Sequence, residues 1–452
     1  MENLKINDMN ACFIHYYNIK SLKQDIIKEN IKKIINELQN INKIANKHKY
    51  LCLSCIFGGF FGDSIGAHCE FSAPSQQNYL KIYKTKTRFL AGEITDDSEL
   101  SMAAGFAYMD AKDGNDPRIQ DLLYYHFGMW KESGPKDMGR ATYNSLKYFN
   151  SSYNIEQTKY IKEIKSITIK ENWNSLSNGA LMRISTFIVF YYYTNFNKIY
   201  SVLVNYFSLN YNNELNNQLL ELFFDIYNKV IINVEITHPN LEVSISTSVF
   251  CLMVLTGMIR NKAIDIYSLF KTFSVSTKFS EISENKEFNH YAKITQQKFI
   301  NIIKEIESNK QINVYNKMGY YIHGFKLSVY YLYRIIQKGE KYDSSSFYNI
   351  MAEICNLGGD TDTNCAIVGT MIGPLIGYQN FKKDLFDIFI NYFPQRRTQY
   401  TSAFMYIYVN YLEEKYLNNA RNQEINKINV EEGIYKYPSF VKLYEFLTKR
   451  LD

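Results

Sequence analysis

Gly358-Gly359-Asp360-Thr361-Asp362-Thr363-Asn364 opens an apolar segment in which glycine returns at 369, 373 and 377. A second apolar segment carries Gly58, Gly62 and Gly66 at the same spacing. Residues four apart share one helical face, so each segment predicts a helix with a bare stripe. Nine of the chain's 21 glycines fall in residues 58–66 and 358–377. A bare stripe admits another backbone, which predicts two central helices packed tightly, with each other as candidate partners. Pro374 is expected to kink the second helix. Close packing with no further role would explain the glycines by itself.

Outward from these segments, apolar residues recur at helical spacing over residues 100–108, 176–193, 243–258, 320–336 and 347–357. No convincing series of alternating strands appears. The sequence therefore predicts an all-α fold. Residues 1–48 read as a helical N-terminal extension, with Ile26, Ile27, Ile31, Ile34, Ile35 and Leu38 on one face. Residues 49–412 form the expected main domain, and residues 413–452 a helical tail. The polar stretches 153–172, 209–218 and 276–297 read as loops or insertions between helices.

The 452 residues include 51 basic and 45 acidic side chains, a net charge of +6. That balance is too mild to indicate nucleic acid or a membrane surface. No apolar run reaches the roughly 18–20 residues of a spanning helix. Residues 1–10 lack the apolar core of a signal peptide. The seven cysteines are odd in number and sit mostly in apolar segments, as reduced thiols do. Cys52-Leu53-Ser54-Cys55 has redox-motif spacing but no preceding strand pattern, so buried core thiols are the expectation. An intracellular, cytoplasmic protein is expected.

Chemistry gathers beside the glycines. One aspartate would suffice to cap the helix after Gly359. Asp360 and Asp362, set after a Gly-Gly turn, bring together more oxygen than capping needs. A second acidic cluster, Thr95-Asp96-Asp97-Ser98-Glu99, opens the helical pattern at Leu100. If the two helix starts meet, four aspartates converge with the hydroxyls of Thr95 and Thr363. Such charges repel unless cations are present. All-oxygen donors suit Mg²⁺, and Mn²⁺ fits the same set, so the two clusters together favour a two-metal site. Taken separately, each cluster is explained by ordinary capping. Asp63, between Gly62 and Gly66, reads as a structural hydrogen-bonding group or a ligand.

Four blocks carry a resemblance. They are Gly62-Asp63-Ser64-Ile65-Gly66 followed by Glu70; Thr95-Asp96-Asp97-Ser98; Ser177-Asn178-Gly179-Ala180-Leu181-Met182-Arg183; and residues 358–364 with their glycine helix. In this order, over about residues 50–378, they resemble the ADP-ribosylglycohydrolases. That family includes the ADP-ribosylarginine and ADP-ribosylserine hydrolases and the dinitrogenase reductase-activating glycohydrolase. Weaker matches are Trp130 with residues 133–139, and Thr237-His238.

The resemblance implies a compact all-α fold with two Mg²⁺ ions at the base of a cleft. It implies Thr95, Asp96, Asp97, Asp360, Asp362 and Thr363 as metal ligands. Glu70 matches a glutamate on a mobile loop, implied to act near the scissile bond; without the resemblance it reads as a solvated carboxylate. Ser177, Asn178, Gly179, Ala180, Gly134 and Gly139 match segments that hold the ADP-ribose phosphates and adenosine. His238 matches a histidine lining the cleft, or is a satisfied structural histidine. A Gly-containing turn at a helix start would also leave the N–H groups of residues 178–180 open to a pyrophosphate. Arg183 is left between a phosphate and a structural carboxylate.

Cleaving at an anomeric carbon needs oxocarbenium stabilisation, an activated water and help for the leaving group, which metals and a carboxylate can supply. The implied activity is Mg²⁺-dependent release of ADP-ribose from a modified protein or related conjugate, by a monomer with no membrane partner. The alternatives are a crystallin-like or ADP-ribose-binding protein without turnover, and a phosphohydrolase cutting the pyrophosphate. Thr186 stands where many relatives have proline, and residues 1–48 and those beyond about 412 have no clear family counterpart.

Overall fold

The computed structural model describes residues 24–451 except 77, 79–82, 85–86, 150–157, 210–214, 282, 395–396, 398, 418–437 and 449. Nineteen α-helices are present among the described residues. They are α1 (Gln24–Asn40), α2 (Lys47–Gly66), α3 (Asp96–Asp110), α4 (Ile119–Glu132), α5 (Arg140–Leu146) and α6 (Thr158–Asn172). There follow α7 (Ser185–Thr194), α8 (Phe196–Leu209), α9 (Asn217–Val234), α10 (Leu241–Arg260), α11 (Ala263–Val275), α12 (Thr277–Glu281) and α13 (Lys286–Glu307). The last are α14 (Tyr321–Gln337), α15 (Ser346–Leu357), α16 (Thr361–Ile376), α17 (Lys383–Asn391), α18 (Phe404–Tyr416) and α19 (Pro438–Thr448). Only isolated bridges, Ser72 with Gly359 and Ser177 with Tyr320, occur in place of a sheet among these residues.

The two glycine stripes meet. Helices α2 and α16 run antiparallel with their backbones in contact. A Cβ on Gly58 would collide with the Gly369 carbonyl, one on Gly62 with the Cys365 carbonyl, and one on Gly66 with the Thr361 carbonyl. Gly369 and Gly373 face Gly58 and Ser54 in the same way. Gly377 differs: it lies just beyond α16 with φ +82°, where it ends the helix against the Tyr50 ring. The antiparallel pairing sets the end of α2 beside the start of α16. Thr361 Oγ1 donates to the Gly66 carbonyl at 2.8 Å and ties the two ends together.

Three sequence expectations change. Residues 158–172 and 286–307 form α6 and α13, not loops. Each has a buried stripe at helical spacing: Ile164, Thr168 and Asn172 on α6, and Phe288, Ala292, Phe299, Ile302 and Ile306 on α13. Their charged outer faces dominated the composition and hid that stripe. Residues 176–184 precede α7 as turns, because Tyr321 N–H donates to the Leu176 carbonyl at 3.0 Å and Asn178 N–H to the Gly319 carbonyl at 2.9 Å. Finally, α10 has the length and apolarity of a spanning helix, but 94% of its most apolar window is buried in the protein core.

The extension and the tail pack together. Helix α1 buries Ile27, Ile31, Ile34 and Leu38. Asn30 Nδ2 donates to the Phe446 carbonyl at 2.7 Å, and Leu451 N–H donates to Asn30 Oδ1 at 3.0 Å. Ser439, on α19, reaches Asp110 at the end of α3 at 2.7 Å.

Candidate metal centre and cleft

Three helix ends converge beside the α2–α16 contact: the end of α2 and the starts of α3 and α16. Asp63, fully buried near the end of α2, organises the junction. It accepts hydrogen bonds from Thr95 N–H (3.0 Å), Thr95 Oγ1 (2.8 Å), Ser98 N–H (3.3 Å) and Ser98 Oγ (2.5 Å). One carboxylate thus caps the first turn of α3. That leaves Asp96 and Asp97 free of the capping role. Asp360 precedes α16 but makes no side-chain cap; its Oδ2 accepts from Asn178 Nδ2 at 2.6 Å.

Two groups of carboxylates result. Asp63, Asp97 and Asp362 can bring one oxygen each within 4.8 Å of one another, and so can Glu70, Asp360 and Asp362. Asp362 belongs to both. Asp97 and Asp362 are 1% and 3% exposed, yet each has one buried Oδ1 without a hydrogen-bond partner. A buried carboxylate oxygen left bare is costly, so these two oxygens fit a cation ligand role. Thr95 Oγ1 lies 2.8 Å from both Asp63 Oδ1 and Asp97 Oδ2, although a hydroxyl has one proton to give. Hard, all-oxygen donors of this kind fit Mg²⁺ or Mn²⁺. The starts of α3 and α16 add favourable helix-dipole ends.

Without cations, burial pushes Asp97 and Asp362 well above the usual carboxylate range; repulsion from Asp63, Asp96 and Asp360 adds to it at Asp97, and repulsion from Asp97 and Asp360 at Asp362. Burial and then Asp137 act in the same sense on Asp96. Asp63 rises only to about 6, because its four hydrogen bonds oppose burial. Glu70 rises to about 8, through burial first and then Asp137 and Asp360.

The sign of the pH effect follows. A carboxyl whose folded pKa is raised stabilises the fold below its unfolded pKa, and that stability is lost as pH rises through the folded value. His238 and His68, lowered to about 3 and about 4 chiefly by burial, act oppositely, but mainly below about pH 7 where unfolded histidine titrates; Lys415, lowered to about 8 chiefly by burial, also acts oppositely, as a single group against the raised carboxyls. Between pH 7 and 8.5, metal-free protein should therefore lose stability, by about 1 kcal/mol or more. Mg²⁺ should restore more at pH 8.5 than at pH 7. Thermal melts at both pH values, with chelator and with Mg²⁺, check this; a metal-free protein that stabilises with rising pH would refute it.

Above the acidic floor lies a cleft of about 780 Å³. Glu70, Asp96, Asp360, Asp362, Thr363, Gly139, Ser177, Asn178, Gly179 and His238 line it. Thr95 and Asp97 lie buried beneath the floor. Ala180 is also buried, and it and Gly134 are outside the lining. Glu70 follows α2 on a turn that pairs with the Gly-Gly segment: Phe71 N–H donates to the Gly359 carbonyl at 2.7 Å, and Gly359 N–H to the Ser72 carbonyl at 2.9 Å. Gly359 has φ +81°, a conformation that suits glycine.

On the opposite wall, Ser177 Oγ lies 2.7 Å from His238 Nε2, and His238 Nδ1 lies 2.7 Å from Thr237 Oγ1. A Cβ on Gly179 would come within 2.9 Å of His238 Cε1, so a larger residue there would push the imidazole out of this line. The N–H of Asn178 is committed to Gly319, so it is not the open donor that a helix-start turn would present. Arg183 is outside the cleft lining and pairs with no carboxylate among the described residues. It is fully buried, bonds the Gly179 and Asn233 carbonyls, and stacks on Phe127. Thr186, in place of the expected proline, donates to the Ser101 carbonyl at 2.6 Å and so ties α7 to α3.

Sequence reasoning missed Asn172 and Arg88, and took in Asp137 only as part of the 133–139 block. Asn172 Nδ2 lies within 3.0 Å of Ala141 O, Ser145 Oγ and Thr237 O, joining α5, α6 and the His238 turn. Its buried position on the α6 stripe was the available signal. Asp137 lines the cleft mouth, and Arg88 bridges it to Glu70.

A family model described as ADP-ribosylglycohydrolase matches residues 46–389. The chain belongs to the ADP-ribosylglycohydrolase family. A protein of Acanthamoeba polyphaga mimivirus named as an ADP-ribosyl glycohydrolase is 24% identical over 340 residues. That match covers 71% of this chain and 86% of the viral protein. A solved structure, an ADP-ribosylglycohydrolase-related protein complex, aligns with a TM-score of 0.49 at 15% identity, over 81% of this chain and 97% of its own. The ADP-ribosylglycohydrolase match ends at residue 389, so α18 and α19 lie beyond it.

Proposed function

We propose that this family member is a Mg²⁺-dependent hydrolase that releases ADP-ribose from a modified protein side chain or a related conjugate. One observation carries the proposal: two buried, partnerless aspartate oxygens, Asp97 Oδ1 and Asp362 Oδ1, within a carboxylate cluster beneath the cleft. Asp96, Asp97, Asp360, Asp362, Thr95 and Thr363 would hold the ions, with Asp63 fixing the start of α3. Bound Mg²⁺ would supply positive charge against which ribose hydroxyls and a water can be oriented.

The chain's own groups do the rest. Glu70 stands over the cluster on a turn anchored at Gly359, where its carboxyl can take or give a proton at the anomeric side. Asn178 holds Asp360 in place. The Ser177–His238–Thr237 line fixes the wall where the ADP portion would lie. An intracellular, monomeric enzyme is part of the proposal; the six described cysteines, all buried thiols outside disulfides, support the compartment.

The test is a panel of defined ADP-ribose conjugates (arginine, serine, O-acetyl, nucleic-acid end and poly-ADP-ribose) with and without Mg²⁺. Free ADP-ribose should appear only with the metal. AMP would indicate pyrophosphate cleavage instead, and binding without product would indicate a non-catalytic protein.

A further inference from the structure

The segment between α2 and α3 and the loop between α4 and α5 meet at the cleft mouth. Each contributes a carboxylate there, Glu70 and Asp137, and both line the cleft. Like charges on two separate segments drive them apart. Between them sits Arg88. Its guanidinium lies 3.4 Å from Glu70 Oε2 and 2.7 Å from Asp137 Oδ2, and Nη2 donates to the Lys136 carbonyl at 3.1 Å. The Phe89 ring lies 5.2 Å from that guanidinium and 5.5 Å from Lys136 Nζ. Lys136 returns the link, 2.5 Å from Glu93 Oε1. Two cations therefore staple the α4–α5 loop to the segment that precedes α3.

We propose that Arg88 is a positioning residue that sets the Glu70 carboxylate over the acidic floor and holds Asp137 at a fixed distance from it. The proposal rests on Glu70 acting in the hydrolysis proposed above. Magnitudes separate positioning from stability. The side chains of Arg88 and Asp137 are 51% and 27% exposed, so solvent screens the closer of its two ion pairs, which contributes little to folding. The backbone of the Glu70 turn is already fixed at Phe71 and Ser72 by its pairing with Gly359. What Arg88 governs is the direction of one side chain, and a misplacement of about 1 Å in a reacting group can lower a rate about 100-fold.

The experiment is a double-mutant cycle on the full chain: Arg88→Ala in the Asp137 and in the Asp137→Asn backgrounds, with Arg88→Lys alongside. Arg88→Ala should lower kcat by about 10- to 100-fold with KM nearly unchanged. Arg88→Lys should recover part of the loss, because a point charge cannot bridge as a planar fork does. Once Asp137 is neutral, the same Arg88→Ala change should lower kcat by less than about threefold. Crystal structures of the variants give a readout independent of turnover: the Glu70 carboxylate should leave its place over the acidic floor in Arg88→Ala and return toward it in the double variant. Equal loss of kcat in both backgrounds, a loss confined to KM, or a Glu70 carboxylate unmoved in Arg88→Ala would overturn the proposal. A native enzyme that turns over none of the conjugates would sink the hydrolase proposal, while the position of the Glu70 carboxylate would still decide the role of Arg88.

Discussion

Asp362→Asn should reduce ADP-ribose release by roughly 1,000-fold or more, and the same change should raise the thermal stability of the metal-free protein. The two effects have one cause. Asp362 belongs to both carboxylate groups, is 3% exposed and carries a buried oxygen with no partner. With cations bound, its charge would be shared between two sites, so losing it weakens both. Without cations, that charge faces Asp97, Asp360, Glu70 and Asp63, and burial and repulsion push its carboxyl far upward. An isosteric amide relieves the repulsion and keeps the shape, a gain of about 1–2 kcal/mol. Activity assays, Mg²⁺ titration and thermal melts in chelator check the three parts. An active Asp362→Asn enzyme, or a metal-free variant less stable than the native chain, would remove the basis for a metal centre here.

The same convergence shows what a sequence can and cannot disclose. The glycine spacing at 58, 62, 66, 369 and 373 reports a backbone contact, and a backbone contact leaves a local trace because only glycine permits it. The pairing of α2 with α16, and the meeting of the two acidic helix starts, were legible for that reason. Asp63 was open to two readings, since four hydrogen bonds to Thr95 and Ser98 span more than thirty positions and have no periodicity. Arg88 left no trace at all. It sits in a stretch rich in lysine and threonine that reads as solvated surface, and its partners are 18 and 49 positions away. Arg183 shows the opposite error: a cation beside a glycine turn was expected to meet a phosphate or a carboxylate, yet it lies buried against the Gly179 and Asn233 carbonyls and over Phe127. Helices α6 and α13 were misread because solvated charges outnumber the buried stripe.

Alanine in the glycine stripe should separate the two things the α2–α16 contact does. Gly→Ala inside a helix ordinarily stabilises by about 0.5–1 kcal/mol, because alanine loses less backbone freedom on folding. At Gly62, Gly66, Gly369 and Gly373 the added methyl would meet a carbonyl of the facing helix, and backbone cannot swing aside as a side chain can. The helices must move apart, so each variant should be destabilised by about 3 kcal/mol or more despite its better propensity. Gly105→Ala on α3 is the control: its Cβ would lie 3.4 Å from the Thr186 methyl, an ordinary contact, and stability should hold or rise. Position along the stripe then decides the second effect. Gly66 faces the Thr361 carbonyl and Asp362 Cα, whereas Gly373 faces Ser54 at the far end of α2. Gly66→Ala should therefore also weaken Mg²⁺ binding by about 10- to 100-fold, the loss typical of disturbing groups that orient metal ligands. Gly373→Ala should leave Mg²⁺ affinity nearly unchanged at equal destabilisation. Chemical denaturation and Mg²⁺ titration of both folded variants resolve the matter. Equal affinity losses at the two positions would mean that the helix pair supports the whole fold and does not specifically hold the carboxylates in register.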